Sequence, residues 1–111
     1  MSEDTKQMPI VGIDLGTTNS LISYWNESRS VIIPNAFGGT ITPSVVGLDD
    51  NGEILVGGIA KERLLTHPGR TVSGFKRFMG GSESIMLGDR GFLPEELSSF
   101  VIRSLISDAE A

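Results

Sequence analysis

The sequence predicts a mixed α/β fold in which strands come first and the clearest helix comes last. Three observations carry that reading. Short apolar runs bounded by turn residues fill the stretch from Ile10 to Ile33, and again from Ser44 to Gly57. An Asn51-Gly52 pair lies between two apolar runs, the favoured chemistry for a tight hairpin turn. The final segment, Pro94 to Ala111, instead repeats its apolar residues at three- and four-residue spacing.

Taken in order, Ile10 to Asp14 reads as a short buried strand and Ser20 to Trp25 as a second, with Gly16-Thr17-Thr18 as the turn between them. Asn26 to Ser28 ends that strand, and Val31 to Ile33 forms a third that Pro34 stops. Three strands with short turns make a meander. "NAFGGTITPS", Asn35 to Ser44, holds two adjacent glycines and Pro43, which predicts a loop or crossing segment between two structural units. "SVVGLDDNGEILVG" then predicts a hairpin with a type I′ turn at Asn51-Gly52.

Beyond the hairpin the pattern alternates between helix and loop. Ile59 to His67 is a predicted helix, with Leu64 and Leu65 following Ala60 at helical spacing and Pro68-Gly69 ending it. "VSGFKRFMGG" is a shorter helical piece stopped by Gly80 and Gly81. In the last helix Pro94 suits the first helical position, and Glu95 and Glu96 sit where the helix dipole favours negative charge. Leu97, Phe100, Val101 and Leu105 form its apolar face. The pattern reaches Ala111 without a glycine, asparagine or proline stop, so the expectation is the N-terminal piece of a longer protein.

Composition bounds the function. The chain has 111 residues, 39% hydrophobic and 21% charged, enough for one small domain burying roughly two thirds of its unfolded surface. A net charge of -5 offers no basic footprint for nucleic acid or an anionic membrane. The absence of cysteine excludes disulfides and thiol chemistry. "MSEDTKQMPI" is polar and acidic, with no signal peptide and no later membrane-length run, and the chain reads as cytoplasmic.

The stretch "VGIDLGTTNS", Val11 to Ser20, carries the chemistry. Consecutive amides of a glycine-containing turn can converge on a phosphate oxygen. Gly16 lets the backbone approach closely, and the hydroxyls of Thr17 and Thr18 add two donors. Asp14, repelled by a phosphate, could hold Mg²⁺ or its water shell. The plain alternative is a tight hairpin whose polar residues satisfy only the turn. A Walker loop and the dinucleotide fingerprint are both absent, since no Gly-Lys-Ser/Thr end and no third glycine opening a helix occur here.

Four segments in order, "IDLGTTNSLISYW", "IIPNAFGGTITPSVV", "FKRFMG" and "PEELSSFVIRSL", resemble the N-terminal part of the 70-kDa heat-shock chaperone family of the DnaK type. The resemblance runs from Ile10 onward over nearly the whole chain. It implies the actin-like (ribonuclease H-like) ATPase fold, two lobes with ATP or ADP and Mg²⁺ in the cleft. Residues 1–42 would then be the first strands and phosphate loop of subdomain IA, and residues 43–111 subdomain IB. The family hydrolyses ATP to drive binding and release of unfolded polypeptide clients by a separate C-terminal domain, with a J-domain cochaperone.

By the same resemblance Asp14 reaches the metal through water, and Gly16, Thr17, Thr18 and Asn19 form the first phosphate loop. Lys76 projects toward the γ-phosphate and the attacking water, and Arg77 beside it lines the cleft. Read without the resemblance, Lys76 and Arg77 are solvated charges on a short helix. Between "FMG" and "PEELSS" only a short linker, "GSESIMLGDRGFL", is expected, where better-known members carry additional strands; this resembles a compact bacterial variant of the HscC type and weighs against the usual nucleotide-exchange factor, which grips subdomain IB. The second phosphate loop, the adenosine-binding segments and the second lobe do not occur in these residues, so the fragment alone is expected to be inactive.

Two other readings stay open at this stage. A sugar kinase of the same superfamily shares D-x-G-T-T, although "FKR" and "PEELSS" speak against it. A non-catalytic scaffold or interaction module would keep the fold without nucleotide chemistry, and retention of Asp14, Thr17 and Lys76 speaks against that. Elsewhere, His67 has no second ligand for a metal and reads as a surface or capping residue. Tyr24 and Trp25 read as packing, and Glu95 with Glu96 as helix-start electrostatics and not an acid pair.

Overall fold

A computed structural model describes residues 10–110, so the polar N-terminal stretch before Ile10 and the last residue of the helical pattern, Ala111, lie outside it. The meander is present as β1 (Val11–Leu15), β2 (Asn19–Asn26) and β3 (Arg29–Ile32), all antiparallel. A short β4 (Thr42–Pro43) pairs with Asn19 and Ser20 of β2. Because Ser20 also faces Leu15 and Ser23 faces both Gly12 and Ile32, β1 occupies one edge of β2 while β3 and then β4 share the other.

The second sheet follows after one residue, Ser44. Its order is β6 (Ile54–Val56), β5 (Val45–Leu48), β7 (Thr71–Ser73), with β5 buried throughout. α1 (Gly58–Lys61) and α2 (Arg63–Thr66) lie between β6 and β7, a 3₁₀ turn spans Phe75–Phe78, and β8 (Ile85–Leu87) pairs with β9 (Arg90–Phe92). α3 (Pro94–Glu110) packs across both larger sheets. Its Leu97, Val101 and Leu105, four residues apart, join Ile22 of β2 and Val46 and Leu48 of β5 in one core with Phe75, Leu87 and Phe92. Fully burying side chains of this kind stabilises by about 1.5–3 kcal/mol each.

Several expectations need correction. β1 is not buried: Val11 is 45% and Ile13 36% exposed, because within the described residues the strand pairs on one side only. The hairpin turn is not type I′, which demands positive φ at both central residues. Only Gly52 takes one (+82°), and Asp49 holds the turn instead, its carboxylate accepting from the Asn51 and Glu53 amides. That is a type I turn closed by a left-handed glycine, the usual three-residue loop.

The predicted helix over Ile59 to His67 is broken at Glu62 into α1 and α2. Thr71 and Val72, read as helix or loop, form β7 because β-branched side chains there complete the β5 edge. The segment expected to be a plain linker folds into the β8–β9 hairpin and sends Leu87 and Phe92 into the core. Trp25 stays 53% exposed and is not packed, whereas Tyr24 is half-buried.

The start of α3 explains both glutamates. Glu96 Oε1 accepts from the Leu93 amide in a capping arrangement, and Glu95 Oε2 accepts from the Gly80 amide, tying the helix to the end of the 3₁₀ turn. That second contact fixes the stretch that carries Lys76 and Arg77.

Candidate functional site

The β1–β2 turn is built by close approach. A Cβ on Gly16 would run into the backbone carbonyl oxygen of Asn19, so the loop closes only around glycine. Ser44, at the junction of the two sheets, then pins the loop from behind. Its amide donates to the Thr18 carbonyl (2.9 Å) and its hydroxyl to the Gly16 carbonyl (2.8 Å). Two strands and one crossing residue thus hold Gly16 to Thr18 in a single conformation.

Thr17, Thr18 and Asn19 line a cavity of about 190 Å³ together with Lys61 of α1, Ser73 of β7 and Arg77 of the 3₁₀ turn. Two cationic side chains and several hydroxyls in one small concavity suit an anion, whose oxygens take N–H and O–H donors. Lys76 is placed differently. Its ammonium donates to the carbonyl oxygen of Leu15, 61 residues away in sequence, between Asp14 and Gly16. The 3₁₀ turn that follows Gly74 (φ +70°) therefore sends Arg77 into the cavity and Lys76 onto the strand end.

Asp14 and Gly16 are not among the residues lining the cavity. Asp14 stands exposed on β1, opposite Leu21, two residues before Gly16. A solvent-facing carboxylate is a hard oxygen ligand of the kind Mg²⁺ takes while keeping several waters. Among the described residues no group of three or more His, Asp or Glu gathers to enclose a metal, so this donor set fits a metal held partly by water and phosphate. His67 hydrogen-bonds Thr66 Oγ1 through Nδ1 (2.8 Å) and sits at the end of α2, in line with a capping role.

Residue types alone missed Lys61, Ser73 and Ser44. Lys61 and Ser73 had no local signal, since each reaches the cavity only through the second sheet. Ser44 had one: it follows Pro43 at the point where the sequence was expected to cross between units.

Comparison with known proteins now decides the family. The model of the Hsp70 protein family matches residues 10–98. The chain belongs to the Hsp70 family. It is 46% identical over 103 residues to the chaperone protein DnaK of Thermotoga petrophila and to that of Thermotoga maritima, and 47% identical to that of Thermotoga neapolitana. Each alignment covers 92% of this chain and 17% of the relative, so the Hsp70 chain described here spans about a sixth of the length of the relatives it matches. Membership implies the actin-like ATPase fold, and the mixed α/β architecture with small antiparallel sheets agrees with it. No helix among the described residues is long and apolar enough to cross a membrane.

Proposed function

We propose that this chain is the N-terminal part of the nucleotide-binding domain of an ATP-dependent chaperone, and that the Gly16–Asn19 loop is its first phosphate clamp. The observation that carries the reading is convergence: a glycine-dependent loop, two cations from distant segments and a carboxylate at the adjoining strand end. In this reading residues 1–42 belong to subdomain IA and residues 43–111 to subdomain IB, a division supported by the change of sheet at Ser44. Thr17, Thr18 and Asn19 supply amide and hydroxyl donors to phosphate oxygens, and Arg77 adds charge to the same cavity. Asp14 holds the water shell of Mg²⁺, which when bound offsets phosphate charge.

Lys76 is the catalytic residue of the proposal. A donor held where charge develops on the transferring phosphoryl oxygens stabilises that charge without reorganisation. Its position over the Leu15 carbonyl supports that role, since it already spans the gap between the two sheets. The second lobe lies outside these residues, and positioning of water, metal and phosphate needs both sides of a cleft. The 111-residue chain alone is therefore expected to bind ATP weakly and to turn it over negligibly.

Unfolded polypeptide clients and a J-domain cochaperone are the partners proposed for the longer protein, in the cytoplasm. The compact segment between Gly80 and Pro94, kept to one hairpin, supports an HscC-like variant and weighs against the usual exchange factor. The Hsp70 match favours this reading over a sugar kinase. Calorimetric titration of Mg·ADP into the chain extended through both lobes tests it: binding that needs Mg²⁺ in the wild type and loses that need in Asp14→Asn is expected. Mg²⁺-dependent binding unchanged by Asp14→Asn removes Asp14 from the site, and no binding at all defeats the nucleotide reading.

A further inference from the structure

The Ser44 junction does more than connect two sheets. Ser44 and Ser20 are both 2% exposed, and their hydroxyl oxygens lie 2.8 Å apart. A serine hydroxyl has a single proton to donate. Ser44 gives its proton to the Gly16 carbonyl, so Ser20 must be the donor in the bond between the two serines. A buried relay therefore runs from Ser20 through Ser44 to Gly16, and the Ser44 amide adds a fourth group by bonding Thr18.

In a trans peptide the C=O of one residue and the N–H of the next point in opposite directions, and no cis peptide is present among the described residues. With the Gly16 and Thr18 carbonyls turned toward Ser44, the amides of Thr17 and Asn19 are turned away from it. Ser44 thus sets the direction of two N–H groups it does not touch.

We propose that Ser44 is a positioning residue, a clasp that fixes the Gly16–Asn19 loop in the form that receives a phosphate; the proposal rests on the nucleotide reading above for its ligand, but its geometric core does not. Removing the Ser44 hydroxyl frees the Gly16 carbonyl and strands the Ser20 proton in a buried site. The loop loses its rear support while the backbone bond from residue 44 to Thr18 remains.

The test uses the chain extended through both lobes, as wild type, Ser44→Ala, Ser44→Thr and Ser20→Ala, with amide hydrogen exchange measured without nucleotide and Mg·ADP affinity measured in parallel. Expected for Ser44→Ala is exchange faster by about tenfold at residues 16–19, the size of one lost hydrogen bond to a buried group, with β5 and α3 unchanged. Affinity for Mg·ADP falls by a similar factor, and Ser44→Thr, which keeps the donor, restores both. Should Ser44→Ala fail to fold, Ser20→Ala is expected to show the same localised change at roughly threefold, since it weakens the relay and leaves Ser44 in place. Unchanged exchange at residues 16–19, or exchange raised equally through β5 and α3, overturns the clasp. A localised rise in a protein that binds no nucleotide even as wild type supports the clasp and refutes the nucleotide reading instead.

Discussion

Replacement of Gly16 by alanine probes how tightly the β1–β2 loop is closed. The added Cβ meets the backbone carbonyl oxygen of Asn19, and backbone cannot swing aside as the end of a long side chain does. Overpacking of this kind costs about 1–3 kcal/mol, and a main-chain obstacle places Gly16→Ala in the upper part of that range. In a domain of this size each kcal/mol moves the melting temperature by about 4–8 °C, so a fall of roughly 10–20 °C is expected. Gly58→Ala provides the control, because a Cβ there has no neighbour within 4 Å and opens α1. Alanine in place of glycine at a compatible site stabilises by about 0.4–1 kcal/mol. Thermal melts of the two variants should therefore shift in opposite directions. Equal melting of Gly16→Ala and wild type would refute the claim that the loop is shut around a missing side chain.

Three further outcomes are expected. Glu27 closes the β2–β3 turn with φ +61°, which costs an L-residue about 1–2 kcal/mol, so Glu27→Gly should raise the thermal midpoint by a few degrees; a lowered midpoint would mean the turn is relaxed. Asn35 accepts from the Phe37 and Gly39 amides and donates to the Ile41 carbonyl and the Thr42 hydroxyl, so Asn35→Ala should cost about 1 kcal/mol in a denaturant melt and expose residues 36–41 to limited proteolysis. Burial holds the Asp108 carboxyl above its ordinary value of 3.8, so its ionised form is disfavoured in the folded chain. The folded chain then binds this proton more readily than the unfolded one, and stability falls as pH rises past 3.8 and through the raised value. Asp108→Asn should accordingly melt higher than wild type at pH 7, with the gap closing as pH drops toward 3.8.

The meander, the second hairpin and the long helix were all legible because each rests on a local signal. Alternating apolar runs, Asn51-Gly52, and Leu97, Val101 and Leu105 at helical spacing need no knowledge of the rest of the chain. β7 and the β8–β9 hairpin were missed for the complementary reason. Each is three residues per strand, and what makes Thr71–Ser73 extended is the free edge of β5, which no window of sequence displays. The exposure of β1 was likewise invisible, since Val11 and Ile13 are apolar whether or not anything covers them.

At the candidate site, Gly16, Thr17 and Thr18 could be named from residue type and spacing, with Gly16 as the strongest sign, whereas Asn19 came only with the family resemblance. Lys76 and Arg77 could not, because adjacent charges on a short helical turn look solvated until the turn is placed beside Leu15 and Thr17. The physical cause of that placement is Gly74 and the Glu95–Gly80 contact, which aim the turn. Ser44 shows the limit most clearly, being an ordinary serine whose two loop contacts span 26 and 28 residues of sequence.

Single-turnover hydrolysis of Mg·ATP by the chain extended through both lobes, with and without Lys76→Ala, tests the central claim most directly. Lys76 is exposed, so water can replace its bond to the Leu15 carbonyl and the substitution should cost no more than about 1 kcal/mol of stability. The expected rate for Lys76→Ala is lower by about 10²–10³, the size of one preorganised donor lost from a developing charge. Turnover that survives Lys76→Ala at the wild-type rate would contradict the assignment of the phosphate site to this loop and this lysine.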